Sequence, residues 1–303
     1  MARPDLIRPL VVLYAAFSEV ASGGSPAGVV VDASELDAET MQQIAAEVGA
    51  PATCFVTGFV DGIVDVRFFS TTTEYGMCGH GTVGLVTSLV EEALVVPGAD
   101  GRVDLVVRST GGTTEVEVRR RQDGRPEIWM DLTPASFESG GVDSTEVAAQ
   151  LGVAIDSLDS SLPIERTVSD FTHLIVPLQN LSAMAAVAPD FDGFAKWCRR
   201  IGVDTVALIV TDMAEDNHDY RCRDLCPAVG TDEAAATGTT NRALACWLVR
   251  QDLLGTGVDG HHMLVAGQGI EVGRPSAVCS EVEVIGGRVD RVRVGGLATR
   301  IGL

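Results

Sequence analysis

Two glycine-rich strings hold the residue types best suited to chemistry in this chain: E-Y-G-M-C-G-H-G-T-V-G over 74–84 and D-E-A-A-A-T-G-T-T-N-R over 232–242. Leu85, Val86, Leu89, Val90 and Leu94 follow the first, and Ala243, Leu244, Trp247, Leu248 and Leu253 follow the second. That is the spacing of an amphipathic or buried helix starting at the glycines. The first N–H groups of a helix have no internal partner and the macrodipole adds partial positive charge, so such an end binds carboxylate or phosphate. Gly79 and His80 in one string, and Gly238 and Thr239 in the other, are the candidate donors. Taken singly, either string serves equally well as an ordinary helix cap. Together they predict two similar halves, each aiming a helix N-terminus at a shared cleft that holds a small anion.

Composition removes several classes. Of 303 residues, 46% are apolar and 21% charged, with no apolar run long enough to span a bilayer, so a folded two-domain protein without a membrane partner is expected. The opening residues have some look of a signal, but Asp5 and Arg8 flank a short apolar run that reads as a first strand, and a cytoplasmic location is the expectation. A formal charge of −20 argues against nucleic acid, which needs clustered Lys and Arg. It also repels small anions at long range, so their capture rests on local N–H donors inside a cleft. Seven cysteines in scattered contexts indicate neither a disulfide framework nor a thiol zinc site. Lys196 is the only lysine and lies in a helical context, F-A-K-W-C-R-R, which speaks against a Schiff-base cofactor. Neither G-x-G-x-x-G after a strand nor G-x-x-x-x-G-K-[ST] is present, and His261-His262 lacks the i, i+4 spacing of a helical metal site. Neither cofactor nor metal is therefore expected.

The elements that must position the strings follow from periodicity. Leu10–Phe17 and Gly28–Val31 read as strands joined by A-S-G-G-S-P-A, Asp37–Val48 as a capped helix, and A-T-C-F-V-T with V-D-V-R-F-F-S as paired strands. After the first string and its helix, V-D-L-V-V and T-E-V-E-V-R-R-R complete a unit near residue 120. The second half repeats the plan: strand I-W-M-D-L, helix T-E-V-A-A-Q-L, strand H-L-I-V-P-L, one helix from M-A-A-V through F-A-K-W-C, and strand T-V-A-L-I-V. The second string, its helix and closing strands S-E-V-E-V-I and R-V-R-V-G-G finish the chain. No linker is rich enough in Pro, Ser or charge to act as a tether.

From G-S-P-A-G-V-V through R-F-F-S-T-T-T-E-Y-G-M-C-G-H-G-T, R-D-L-C-P and A-T-G-T-T to Q-G-I-E-V-G-R-P-S and V-G-G-L-A, the chain resembles the PhzF-like isomerases. These belong to the superfamily of the diaminopimelate epimerase fold, which includes the proline racemases. The match runs nearly end to end. It implies an α+β fold of two pseudo-symmetric domains, 1–120 and 121–303 with the last strand able to cross back, each a curled, mostly antiparallel sheet or barrel around a central helix. The active site then lies in the interdomain cleft, and the chain forms a homodimer.

The resemblance assigns the acid/base to Glu74, which would need its pKa raised by desolvation; its plain reading is a solvated loop carboxylate. Cys78 brings the first string closer to the proline racemases. A thiol at a helix N-terminus has a depressed pKa, so Cys78 stands as an accessory base, a pocket residue or a small buried residue. The second thiol of the two-thiol racemases is matched to Ala236, and the aspartate of the usual acidic-D-P-A-T-G-S string to Ala234, with Glu233 or Asp232 as substitutes. Ser25, in G-S-P, and Arg274, in G-R-P-S, are further substrate-binding candidates. The expected function is a cofactor-independent isomerase that moves a proton and a double bond in a small unsaturated carboxylic or amino acid, such as a proline- or pyrroline-derived intermediate of antibiotic biosynthesis. The alternatives are a one-thiol racemase, epimerase or hydroxyproline-type dehydratase using Cys78, and a non-catalytic small-acid binding protein.

Overall fold

The computed structural model describes residues 9–138, 141–169, 171–211, 218–254 and 259–302; Asp5 and Arg8, which flank the first apolar run, lie outside them. The chain divides into two compact units. The first takes the chain up to Ala21, Pro26–Met130 and everything from Leu297; the second takes Ser22–Ser25 and Asp131–Gly296. The boundary falls beyond residue 120 because a further strand, Pro126–Leu132, pairs antiparallel with Gly112–Arg120. The last strand, Ala298–Ile301, pairs with the first, Val12–Ala16.

The first unit contains β1 (Val12–Ala16), β2 (Ser25–Val30), β3 (Ala52–Val60), β4 (Ile63–Phe69), β5 (Glu74–Tyr75), β6 (Arg102–Ser109), β7 (Gly112–Arg120) and β8 (Pro126–Leu132). Its helices are α1 (Ala38–Val48) and α2 (Gly79–Glu91). Asp37 caps α1 by accepting from the Thr40 N–H, and Gly49 ends it in the left-handed conformation. The β3–β4 hairpin turns on Asp61-Gly62, both at positive φ, which is the twist-matched two-residue turn. Helix α2 is buried continuously from Gly81 to Leu89, so it is covered on every side and forms the centre of the unit.

The second unit contains β9 (Ser136–Glu138), β10 (Glu165–Val168), β11 (Thr172–Pro177), β12 (Thr205–Val210), β13 (Tyr220–Leu225), β14 (Glu233–Ala234), β15 (Gly260–Gln268), β16 (Ser276–Ile285) and β17 (Arg288–Gly296). Its helices are α3 (Ser144–Leu151), α4 (Leu181–Ala186), α5 (Phe191–Ile201) and α6 (Gly238–Arg250). The single helix expected from M-A-A-V to K-W-C is two helices. Pro189 has no N–H to donate and disfavours a helical residue before it, so α4 ends at Ala186 and α5 restarts at Phe191. Helix α6 is buried from Gly238 to Val249.

The two units share one internal plan. Each has a parallel pair (β2–β3; β11–β12), then an antiparallel hairpin (β3–β4; β12–β13), then a two-residue strand on the second arm (β5; β14). That arm pairs parallel with the strand after the central helix (β4–β6; β13–β15), which continues into two antiparallel neighbours (β7, β8; β16, β17).

An arginine–glutamate pair recurs at the same place in both. Arg67 Nε and Nη2 donate to Glu74 Oε1 and Oε2 at 2.8 and 2.6 Å, tying β4 to β5. Arg223 Nε and Nη2 donate to Glu233 Oε1 and Oε2 at 3.0 and 2.7 Å, tying β13 to β14. The pairs differ in burial: the side chains are 28% and 27% exposed in the first and 7% and 4% in the second. Removing one partner of a buried pair strands the other charge, whereas a partly solvated pair contributes little. Glu233→Gln is therefore expected to lower stability by about 3–5 kcal/mol and Glu74→Gln by less than about 1 kcal/mol, read from urea unfolding midpoints.

Candidate active site

The residues of the first string converge at the start of α2. Cys78 is the N-cap, and its Sγ accepts from the Gly81 N–H at 3.3 Å. His80 Nδ1 lies 3.4 Å from the same sulfur. Burial alone raises the pKa of the Cys78 thiol, but the His80 ring, the Tyr75 hydroxyl and the Gly81 N–H together outweigh it and hold the thiol below its ordinary value. Reciprocally, burial disfavours charge on His80, and the Cys78 sulfur overrides it and raises the histidine. The two shifts each favour the charged form, the Cys78 sulfur and the His80 ring stabilising one another at a helix N-terminus.

The pocket behind the sulfur is tight. A Cβ on Gly81 would come within 2.9 Å of Cys54 Sγ and 3.0 Å of Cys78 Sγ, so only glycine fits between the two thiols. Cys54, unlike Cys78, is pushed up by burial and by its neighbour's charge. The loop carrying the site is held by Gly76, whose carbonyl accepts from Gly111 N at 3.1 Å and from Ser109 Oγ at 2.5 Å. A side chain on Gly76 would meet Gly111 Cα at 2.8 Å.

Glu74 lies four residues from Cys78 but in a different electrostatic setting. Both its oxygens accept from Arg67, and that pairing lowers its pKa against the small effect of burial. This is opposite in direction to the shift a carboxylate base would need. The Arg67 guanidinium also stacks on Phe69 at 5.2 Å, which fixes the pair further.

In the second unit Thr237, and not Ala236, is the counterpart of Cys78. Both are N-caps, with φ and ψ of −138° and 111° at Thr237 and −144° and 106° at Cys78. The second-thiol position assigned to Ala236 therefore moves by one, and a hydroxyl stands where alanine was expected. Gly238 and Thr239 begin the first turn of α6, as Gly79 and His80 begin that of α2. Glu233 is fully engaged by Arg223 and occupies the position of Glu74.

The two remaining candidates are structural in their contacts. Arg274 donates from Nε to Gly24 O at 2.7 Å and from Nη2 to Gly23 O at 2.6 Å, pinning the glycine turn. Ser25 follows that turn and is buried at the start of β2. Sequence reasoning missed Arg67, Arg223, Tyr75 and Gln268. The first two were legible in principle, since each unit has an arginine ahead of its string and a glutamate within it. Among the described residues no cluster of three or more His, Cys, Asp or Glu side chains is arranged to hold a metal.

Two repeats of a sheet curled around a buried helix, with reactive side chains at the N-cap of that helix, define the α+β diaminopimelate epimerase-like fold, which solved PhzF-family and proline racemase structures share. The PhzC-PhzF family, phenazine biosynthesis-like proteins, matches residues 14–301, and the chain belongs to it. An uncharacterized isomerase of Deinococcus radiodurans is 34% identical over 295 residues, covering 94% of this chain and 90% of the relative. The trans-2,3-dihydro-3-hydroxyanthranilate isomerase of Pseudomonas aeruginosa is 29% identical over 286 residues, covering 94% of each. The crystal structure of a Bacillus anthracis PhzF-family phenazine biosynthesis protein superposes with a TM-score of 0.85 at 27% identity, over 96% of each chain. The protein is thus an isomerase of the PhzF family.

The pairing at the head of α2 makes a direct prediction. The difference in thiolate absorbance at 240 nm between the wild type and Cys78→Ala should titrate below the ordinary thiol range of about 8.5. The His80→Asn variant should move that titration upward.

Proposed function

We propose that the enzyme shifts a proton, and with it a double bond, in a small unsaturated carboxylic or amino acid, with Cys78 as the acid/base. The single observation that carries this choice is the Cys78–His80 pair. It holds the sulfur's pKa down beside an imidazole, while the nearby carboxylate, Glu74, is tied at both oxygens by Arg67. A carboxylate whose two oxygens each accept from a guanidinium is a weaker proton acceptor than a thiolate capped by one N–H and one imidazole.

The substrate carboxylate is held by the N–H groups at the start of α2, at Gly79 and His80. These donors also stabilise the enolate-like charge as the proton leaves; a well-placed donor of this kind lowers a barrier by about 3–4 kcal/mol in other enzymes. After each transfer the proton on Cys78 leaves to the second carbon of the substrate or to solvent, and the His80 ring stabilises the sulfur charge that returns. The compound named for the Pseudomonas aeruginosa relative, a cyclic unsaturated amino acid, belongs to this substrate class. Proline- and pyrroline-derived acids form the second group to try, and specialised antibiotic metabolism is a setting in which either would arise.

The test is proton NMR in deuterium oxide with a panel of both groups of acids. Wild-type enzyme is expected to move a double bond with deuterium uptake. Cys78→Ala should lose at least about 100-fold in rate, and Glu74→Gln should stay within about tenfold of wild type, since it alters the Arg67 pair and not the transferring group. Loss of turnover in Glu74→Gln with Cys78→Ala left active would reverse the assignment.

A further inference from the structure

Gly81, in the first turn of α2, has two sulfurs against it. One belongs to Cys78, which caps the helix, and the other to Cys54 of β3. The point at which a Gly81 side chain would begin is 2.9 Å from Cys54 Sγ and 3.0 Å from Cys78 Sγ, so the two sulfurs meet across a gap too small for one methyl group. Strand pairing brings Cys54 there. It stands opposite Phe68 of β4, which stands opposite Tyr75 of β5, and opposed residues share a face. The Phe68 and Tyr75 rings stack with centroids 6.4 Å apart, and Cys54 is wholly buried in the same row.

Packing does not require sulfur at either place. The second unit repeats the row as Ala207, Asp224 and Ala234, and its central helix is capped by Thr237. The counterparts of Cys54 and Cys78 are therefore an alanine and a threonine within the same plan of strands and helix, whereas the first unit puts a thiol at both. The two thiols are also unlike. Burial disfavours charge on each; at Cys78 the His80 ring, the Tyr75 hydroxyl and the Gly81 N–H outweigh it, while at Cys54 the charge of Cys78 adds to it. Cys78 is thus the nucleophile of the pair and Cys54 its protonated neighbour. Met77, Gly79 and His80, around Cys78, are all partly exposed, so the loop that carries the sulfur lies within reach of a small solute.

We propose that Cys78 and Cys54 form a peroxide-sensitive dithiol, a modification site at which Cys78 is oxidised and Cys54 closes a disulfide onto it. The Cys78 sulfur attacks one oxygen of hydrogen peroxide, the O–O bond breaks and hydroxide leaves, with a sulfenic acid formed on Cys78. The Cys54 sulfur then attacks the Cys78 sulfur, the S–O bond breaks, and the Cys54 proton departs with the leaving hydroxide as water. Each thiol gives up one electron and the peroxide takes both. The sulfurs must close to about 2.0 Å, and the missing side chain of Gly81 leaves their path open. The bond withdraws Cys78 from any proton transfer until a thiol reductant opens it. The site lies in one unit, and its chemistry does not depend on which acid the enzyme isomerises.

The experiment treats the protein with a modest excess of hydrogen peroxide, blocks the remaining thiols with N-ethylmaleimide in denaturant and maps the unreduced digest by mass spectrometry. Wild type is expected to lose two of its seven free thiols and to yield one cross-linked peptide pair, Cys54 with Cys78, lighter by two hydrogens and opened by dithiothreitol. Cys54→Ala should give no cross-link, label with dimedone at Cys78 and proceed there to the sulfinic acid. Cys78→Ala should leave Cys54 reduced. Circular dichroism checks that both variants are folded, and the wild-type map decides the matter without them. Sulfinic acid on wild-type Cys78 beside a reduced Cys54, Cys78 joined to a different cysteine, or Cys78 left unmodified would overturn the proposal. Turnover is read separately, so a protein that forms the cross-link but isomerises none of the acids tested counts against the proton-shift reading and not against the dithiol.

Discussion

The constraint on which this molecule depends is the start of a fully buried helix. A helix inside a sheet gains apolar burial along its length but leaves its first N–H groups without intrahelical partners, where water cannot freely supply them. In each unit the string ahead of the central helix answers that demand, and the surrounding glycines exist to let it. Gly81 admits two sulfurs, and Gly76 approaches Gly111 at backbone distance. Gly269, at positive φ, brings backbone within 2.4 Å of where its own side chain would begin, beside the Ala235 carbonyl. The chemistry follows from the same demand, because whatever satisfies a helix N-terminus in a buried place is also what an anionic substrate would replace.

From one plan the two units have diverged in what they put at that position. The first offers a soft sulfur whose pKa is lowered beside His80; the second offers a hydroxyl that accepts from Gln268 Nε2. The bracing ion pair ahead of each string has stayed the same, and its constancy argues that Glu74 and Glu233 hold strands together. The unit with the more deeply buried brace is also the one with an acid in its ladder, and the two carboxylates there have unlike surroundings: Glu233 is matched by a guanidinium, and Asp224 meets the hydroxyls of Thr237, Thr240 and Thr205.

Much of this was legible in the sequence, for physical reasons. Central helices announce themselves as apolar runs after glycine, and paired strands by alternation, so α2, α6 and the β3–β4 hairpin were expected where they occur. The α4–α5 break was written in Pro189 but outweighed by the apolar count around it. Short strands such as β5 and β14 carry no periodicity, being two residues long, so the arginines that fix them could be read only by comparing the two strings. The offset between Ala236 and Thr237 had another cause. Counting along a string does not say which residue leaves the helix first; the N-cap dihedrals do. Asp224 was hidden because an acid within R-D-L-C-P looks like any surface charge until the ladder shows both its neighbours to be alanine.

The central claim is that the Cys78 thiol has a lowered pKa at a helix start suited to anions, and alkylation tests it without knowledge of the substrate. The measurement is the ratio of iodoacetate to iodoacetamide rates at Cys78, followed by peptide mass spectrometry and compared with the same ratio for a free thiol. A chain of net charge −20 would repel iodoacetate, so an elevated ratio at Cys78 reports local N–H donors. The account predicts a ratio above that of the free thiol, abolished by an excess of a small carboxylate. A ratio at or below the free-thiol value, or labelling elsewhere with Cys78 untouched, would contradict it.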